Sequence, residues 1–136
     1  MSEPLRQMAA DLARWLAPRK VTTVSDWSDE HIILSSKGSA EPGQWRTSRN
    51  PPLREPMNCV GARSDVRDLV LMWPIQFGKT AVLCNALAYT MCENPGPIMV
   101  CLPSEVARDK WVAQKLNPMI DECPAVKRTL TSVASR

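Results

Sequence analysis

Apolar positions divide this chain into stretches that repeat every three to four residues and stretches that do not. Leu5, Met8, Leu12, Trp15 and Leu16 fall near one face of a helical wheel, with Arg6, Asp11 and Arg14 elsewhere. The spacing predicts a helix over Ser2–Ala17, capped by Ser2, with Pro4 in its first turn and Pro18 as its stop. From Val21 to Pro56 periodicity fades and Ser, Thr, Gly, Pro and Asn dominate, apart from the short run His31-Ile32-Ile33-Leu34. His31, the single histidine, reads as a strand-edge residue there. Asp68–Met72 and Ile98–Leu102 are continuous apolar runs of strand length, and Thr80–Cys92 between them is apolar almost all round. Such a helix needs cover on more than one side, and Glu93-Asn94-Pro95-Gly96-Pro97 ends it. The order predicts an α/β layout with a parallel strand pair and a right-handed crossover. A last helix opens at Ser104 and runs to Asn117 before Pro118, burying Val106, Ala107, Trp111, Val112 and Leu116.

Composition narrows this picture only modestly. A chain of 136 residues holds one modest core, and 44% hydrophobic with 23% charged residues is ordinary for a globular domain. A net charge of +3 permits nucleic-acid contact without arguing for it. No apolar stretch approaches the ~20 residues that span a bilayer, and the first residues lack a signal-peptide core, so no membrane role is expected. Five cysteines with no C-x-x-C spacing point to a reduced compartment rather than to zinc.

Candidate chemistry concentrates in Trp73-Pro74-Ile75-Gln76-Phe77-Gly78-Lys79-Thr80, between the first strand and the apolar helix. Backbone N–H groups at a loop and helix start favour an anion; a Lys there reaches β/γ-phosphates and a Thr hydroxyl ligates Mg²⁺. The usual G-x-x-x-x-G-K-[ST] pattern has Gly where this chain has Trp73, and Pro74 removes a donor. A second candidate region is Lys37–Arg54, where Lys37, Arg46, Arg49 and Arg54 face one acid, Glu41, and surround Trp45. Basic side chains interleaved with an aromatic suit a phosphate backbone and a stacked base, and they equally suit a solvated loop packed by its Trp.

The ending Gln76-Phe77-Gly78-Lys79-Thr80 after an apolar strand resembles the variant phosphate loop of phage terminase large subunits. So do Trp27-Ser28-Asp29-Glu30-His31, Ser39–Thr47, Arg54-Glu55-Pro56-Met57, Asn94-Pro95-Gly96-Pro97 and Trp111–Pro118, which resemble the lambda-like members at their N-terminal end. The resemblance runs from about Trp27 to Arg136. It implies an incomplete P-loop NTPase domain of an ATP-driven motor that pumps viral DNA into a capsid, joined in the full protein to an endonuclease. By this resemblance Gln76, Phe77, Gly78, Lys79 and Thr80 bind ATP, Thr80 holds its Mg²⁺, and Arg54, Glu55, Pro56 and Met57 correspond to the segment against the adenine. Lys37, Trp45, Arg46 and Arg49 are the DNA-contact candidates. The implied partners are double-stranded phage DNA, the terminase small subunit and the portal of the procapsid, all in the host cytoplasm. Residues 1–20 form a possible partner-binding helix and residues 21–136 the beginning of the ATPase domain. Trp73, Pro74, Ile75 and Phe77 are uncharged, unlike loops of the family that carry an additional basic residue.

A motor ATPase also uses an acid at the end of an apolar strand to order Mg²⁺ and water. The only later run, Ile98–Leu102, is followed by Pro103-Ser104-Glu105, and Glu105 falls at a helix start. The expectation is therefore a chain cut before its catalytic carboxylate, with no catalytic residue evident. Alternatives are a fragment of another P-loop motor of helicase type, a DNA- or partner-binding remnant using residues 1–60, and a non-functional remnant.

Overall fold

Thr23 begins a helix in a stretch expected to be irregular. Its hydroxyl accepts the Asp26 N–H at 3.2 Å and donates to the Asp26 carboxylate at 2.7 Å, an N-cap that satisfies one orphan amide of the first turn. The computed structural model of the chain describes residues 3–16, 21–36 and 41–134. Within them α1 spans Glu3–Leu16, inside the predicted range, and the capped helix is α2, Val24–His31. Ser2, Pro18 and Lys37 lie outside the described residues.

Val24, Ser25, Trp27 and Ser28 form the buried face of α2. Trp27 stacks on His31 at 4.8 Å and meets Tyr89 edge-on at 5.9 Å, and its indole N–H donates to Glu93 at 3.2 Å. His31 therefore closes a helix; it is not at a strand edge. After Ile32 come β1, Ile33–Leu34, and β2, Gly43–Gln44, paired antiparallel with Ile33 opposite Gln44. Two 3-10 turns, Thr47–Arg49 and Pro51–Leu53, lead into α3, Arg54–Cys59. The Asp29 carboxylate fixes the first turn by accepting both the N–H and the hydroxyl of buried Thr47.

The apolar helix is α4, Lys79–Glu93, and it packs against α2, α3, α6 and α7. Its Val82, Ala88 and Tyr89 join Val24, Trp27, Leu53, Met57 and Val126 in the core. Cover on several sides, as its all-round apolar sequence required, is what the structure supplies.

The C-terminal part is helical from Glu105 onward: α5 is Glu105–Trp111, a π turn spans Val112–Leu116, α6 is Asn117–Glu122 and α7 is Pro124–Ala134. The predicted stop at Asn117 is corrected, because the chain passes Pro118 in helical form. A proline lacks the N–H donor and crowds the carbonyl four residues back. The π turn opens the helix just there, with the Asn117 N–H bonded to the Val112 carbonyl. No residue of α5 is buried, and Val106, expected in the core, is exposed.

The expected parallel pair is also corrected. Residues 65–74 and 95–102 carry no regular secondary structure, and the only sheet among the described residues is the β1–β2 pair. Leu71 and Trp73 still pack against the core, while the alternating Val70 and Met72 face out. One side of the run is covered and the other is not. Apolar content drives burial, whereas a strand also needs a partner for its N–H and C=O groups.

Candidate functional site

Lys79 and Thr80 are the first two residues of α4, and Gly78 is its N-cap. Because Gly78 has no side chain to cap with, the positive end of the helix is open to an anion. Its φ of +111° is strained for residues bearing a Cβ, and a Cβ there would stand 3.0 Å from Leu53 Cδ1. Two independent constraints thus demand glycine at this position. Gln76 also has positive φ, 64°, in the left-handed region that non-glycine residues seldom occupy.

The loop closes on itself. Lys79 Nζ donates to the Trp73 carbonyl at 2.6 Å and to the Pro74 carbonyl at 2.8 Å, spanning the loop from its last residues to its first. Trp73 and Phe77 meet edge to face at 5.0 Å, and both pack on the core. Where the common motif has glycine, this chain has an aromatic anchor whose carbonyl receives the lysine. Ile75, at the tip, is 91% exposed.

Sequence reasoning missed the support beneath the loop. Asn50 Nδ2 donates to the Phe77 carbonyl at 3.0 Å, and Leu53 of the following turn meets Gly78. Asn50-Pro51-Pro52 falls in the stretch without periodicity, and nothing local in it announces contact with a loop 27 positions away.

The remaining candidates are dispersed. Arg54 and Glu55 are exposed and line a cavity of about 680 Å³, with Arg54 3.8 Å from Asp26. Pro56 and Met57 face into the core instead. Trp45 is half-buried and donates to Thr47 at 3.1 Å, so its ring is a packing element. Arg49 pairs with Glu41 at 2.8 Å, and Arg46 is exposed. Glu105 is exposed at the start of α5, as the sequence indicated.

Thr80 borders a smaller cavity of about 200 Å³, shared with Trp45, Cys84, Asn85 and Lys115. Lys115 reaches this cavity from the π turn. Burial pushes the Cys84 thiol up to about 11, against the smaller opposing pull of the Lys115 charge.

The residues present fit a nucleotide triphosphate with its metal: an open helix start, a lysine spanning the loop, an exposed threonine hydroxyl and a glycine where a Cβ has no room. Comparison with known proteins bears on the same region. The family model described as phage terminase large subunit gpA, ATPase domain, matches residues 39–136. Trp27–His31 lies outside the matched range. No curated protein and no solved structure matches the chain.

Proposed function

The chain belongs to the phage terminase large subunit gpA ATPase-domain family, and on that premise we propose that Trp73–Thr80 binds the phosphates of Mg-ATP as part of a motor for viral DNA packaging. The observation that carries this reading is the placement of Lys79, at the first turn of α4 with its ammonium on the Trp73 and Pro74 carbonyls.

Bound Mg-ATP supplies the phosphoanhydride whose cleavage powers such a motor. Lys79 exchanges its two carbonyl acceptors for β/γ-phosphate oxygens, a stronger charge-assisted pairing. Gly78 lets the backbone approach the phosphates, and Thr80 offers its hydroxyl to Mg²⁺. Gln76, held at positive φ, and Phe77 shape the loop. Arg54 and Glu55, at the rim of the larger cavity, serve the nucleobase side.

DNA contact falls to exposed Arg46 and its neighbour Arg49, acting on phosphates rather than bases. α1 serves a partner, for which the small subunit of the terminase is our candidate. Leu5, Met8 and Leu12 on its apolar face are all exposed, which suits a helix laid into another protein's groove. From the family alone we place the protein in the host cytoplasm; among the described residues no helix is long and apolar enough to cross a membrane.

Fluorescent-ATP titration of wild type and Lys79→Ala tests the nucleotide reading. Saturable wild-type binding that weakens at least about tenfold in the variant is expected, because the main cation facing the phosphates is lost. Equal affinity in the two proteins, or no binding by wild type, removes the reading.

A further inference from the structure

We infer that Asn50 is a positioning residue for the phosphate loop, acting through the Phe77 carbonyl; this rests on the nucleotide reading above. Three observations meet at one point. The Asn50 amide donates to Phe77 O at 3.0 Å. Gly78, the next residue, faces Leu53 so closely that a Cβ would come within 3.0 and 3.1 Å of its methyl groups. Leu53 itself is buried in the core, and its N–H is bonded to the Asn50 carbonyl at 3.1 Å. Asn50 and Leu53 are thus the two ends of one short turn, with Pro51 and Pro52 between them, that grips the loop where it becomes α4.

The grip acts on the peptide between Phe77 and Gly78. A hydrogen bond to the Phe77 carbonyl fixes the orientation of that peptide plane, and with it the direction of the Gly78 N–H on the opposite side. An anion at a helix start is held by amides already aimed at it. Gly78 at φ +111° has wide conformational freedom, so an external restraint on its neighbour does what the residue's own sterics do not. The prolines make the restraint stiff: Pro51 and Pro52 fix two φ angles in the turn that carries Asn50. That same turn contributes Pro51 and Pro52 to the larger cavity, so a ligand there and the phosphate loop share one support. Asn50 touches no phosphate in this scheme. It acts through the loop.

The test uses Asn50→Ala and Asn50→Leu, the second of which keeps roughly the volume and loses the donor without adding a charge beside the phosphates. Two readouts are taken on the intact chain: hydrogen exchange of the peptide covering residues 75–82 without nucleotide, and fluorescent-ATP affinity. Both variants should exchange faster in that peptide while α2 and the rest of α4 keep wild-type protection. Both should lose roughly three- to tenfold in ATP affinity, the net worth of one hydrogen bond. Unchanged exchange at 75–82, or wild-type affinity in both variants, overturns the inference. A rise in exchange throughout the core also overturns it, because the role is then general stability. Failure of wild type to bind ATP removes the nucleotide reading and, with it, the positioning role, whereas binding by wild type with indifferent Asn50 variants removes the positioning role alone.

Discussion

Around α4 the side chains of α2, α3, α6 and α7 close on one another, whereas the apolar runs at 68–72 and 98–102, on either side of α4 in the sequence, stay largely open to solvent. One residue type shows the contrast. Met57 is 0% exposed in α3, Met72 is 89% exposed in the first run and Met99 is 86% exposed in the second. The helices reached their burial because each satisfies its own backbone and needs only a face to lay down. The extended runs have no such self-sufficiency: to be buried, their N–H and C=O groups need another strand to take the place of water. Apolar sequence is therefore a demand for cover, and the backbone decides how hard that demand is to meet.

The contrast predicts its largest difference in stability between methionines. Met57→Ala should cost about 2–5 kcal/mol, from lost burial and a cavity, and it also removes the sulfur that Asn85 Nδ2 approaches at 3.9 Å. Met72→Ala and Met99→Ala should stay within about 0.5 kcal/mol of wild type. Urea denaturation of the three variants decides the matter, and comparable losses in all three would show that the extended runs are buried in solution.

A second, smaller effect comes from the closed side alone. Burial keeps the Cys84 thiol protonated in the folded chain up to about 11, against an ordinary value near 9. The folded state then holds its proton more tightly than the unfolded state. Its stabilising contribution is complete below about pH 9 and declines as pH rises toward about 11, by an amount on the order of 2 kcal/mol. The difference in unfolding free energy between wild type and Cys84→Ala, followed from pH 8 to 11, should shift by that amount. A pH-independent difference would place the thiol in water.

The smallest effect belongs to α1, whose exposed Leu5, Met8 and Leu12 put it with the open regions. Deleting residues 1–16 should change the stability of the remainder by less than about 0.5 kcal/mol if that face serves a partner. A loss of several kcal/mol would mean that the face is buried against this chain's own core, since each large apolar side chain is worth about 1.5–3 kcal/mol when buried.

How much of this was legible depended on how local each cause is. α1 and α4 followed from spacing and from their bounding residues, and the Lys79–Thr80 helix start followed from the strand-like run before it. α2 was missed because its buried face includes two serines, Ser25 and Ser28, which periodicity of apolar residues does not count. The Thr23 and Asp26 pair three apart was the available signal, since it places a cap before a helix. The parallel sheet was expected from apolar runs, yet pairing is a relation between distant segments and no run states its partner. Asn50 was invisible for the same reason, its role lying in a contact with Phe77 far along the chain. Trp73 stood out in the sequence only as a departure from the glycine of the usual motif, whereas its ring anchors the loop against Phe77 and the core.

The wide turn at Val112–Leu116 has a consequence for how the C-terminal helices meet the rest of the molecule. It adds one residue to a winding of 3.6 per turn, so everything after it is rotated by about 100° relative to what comes before. The helix thus has two azimuths. Its first half, Glu105–Trp111, is turned away from the interior and its second half, with Met119, is turned into it. A single backbone in this way behaves as a crank, with one arm anchored among α4 and α7 and the other held out at a different angle.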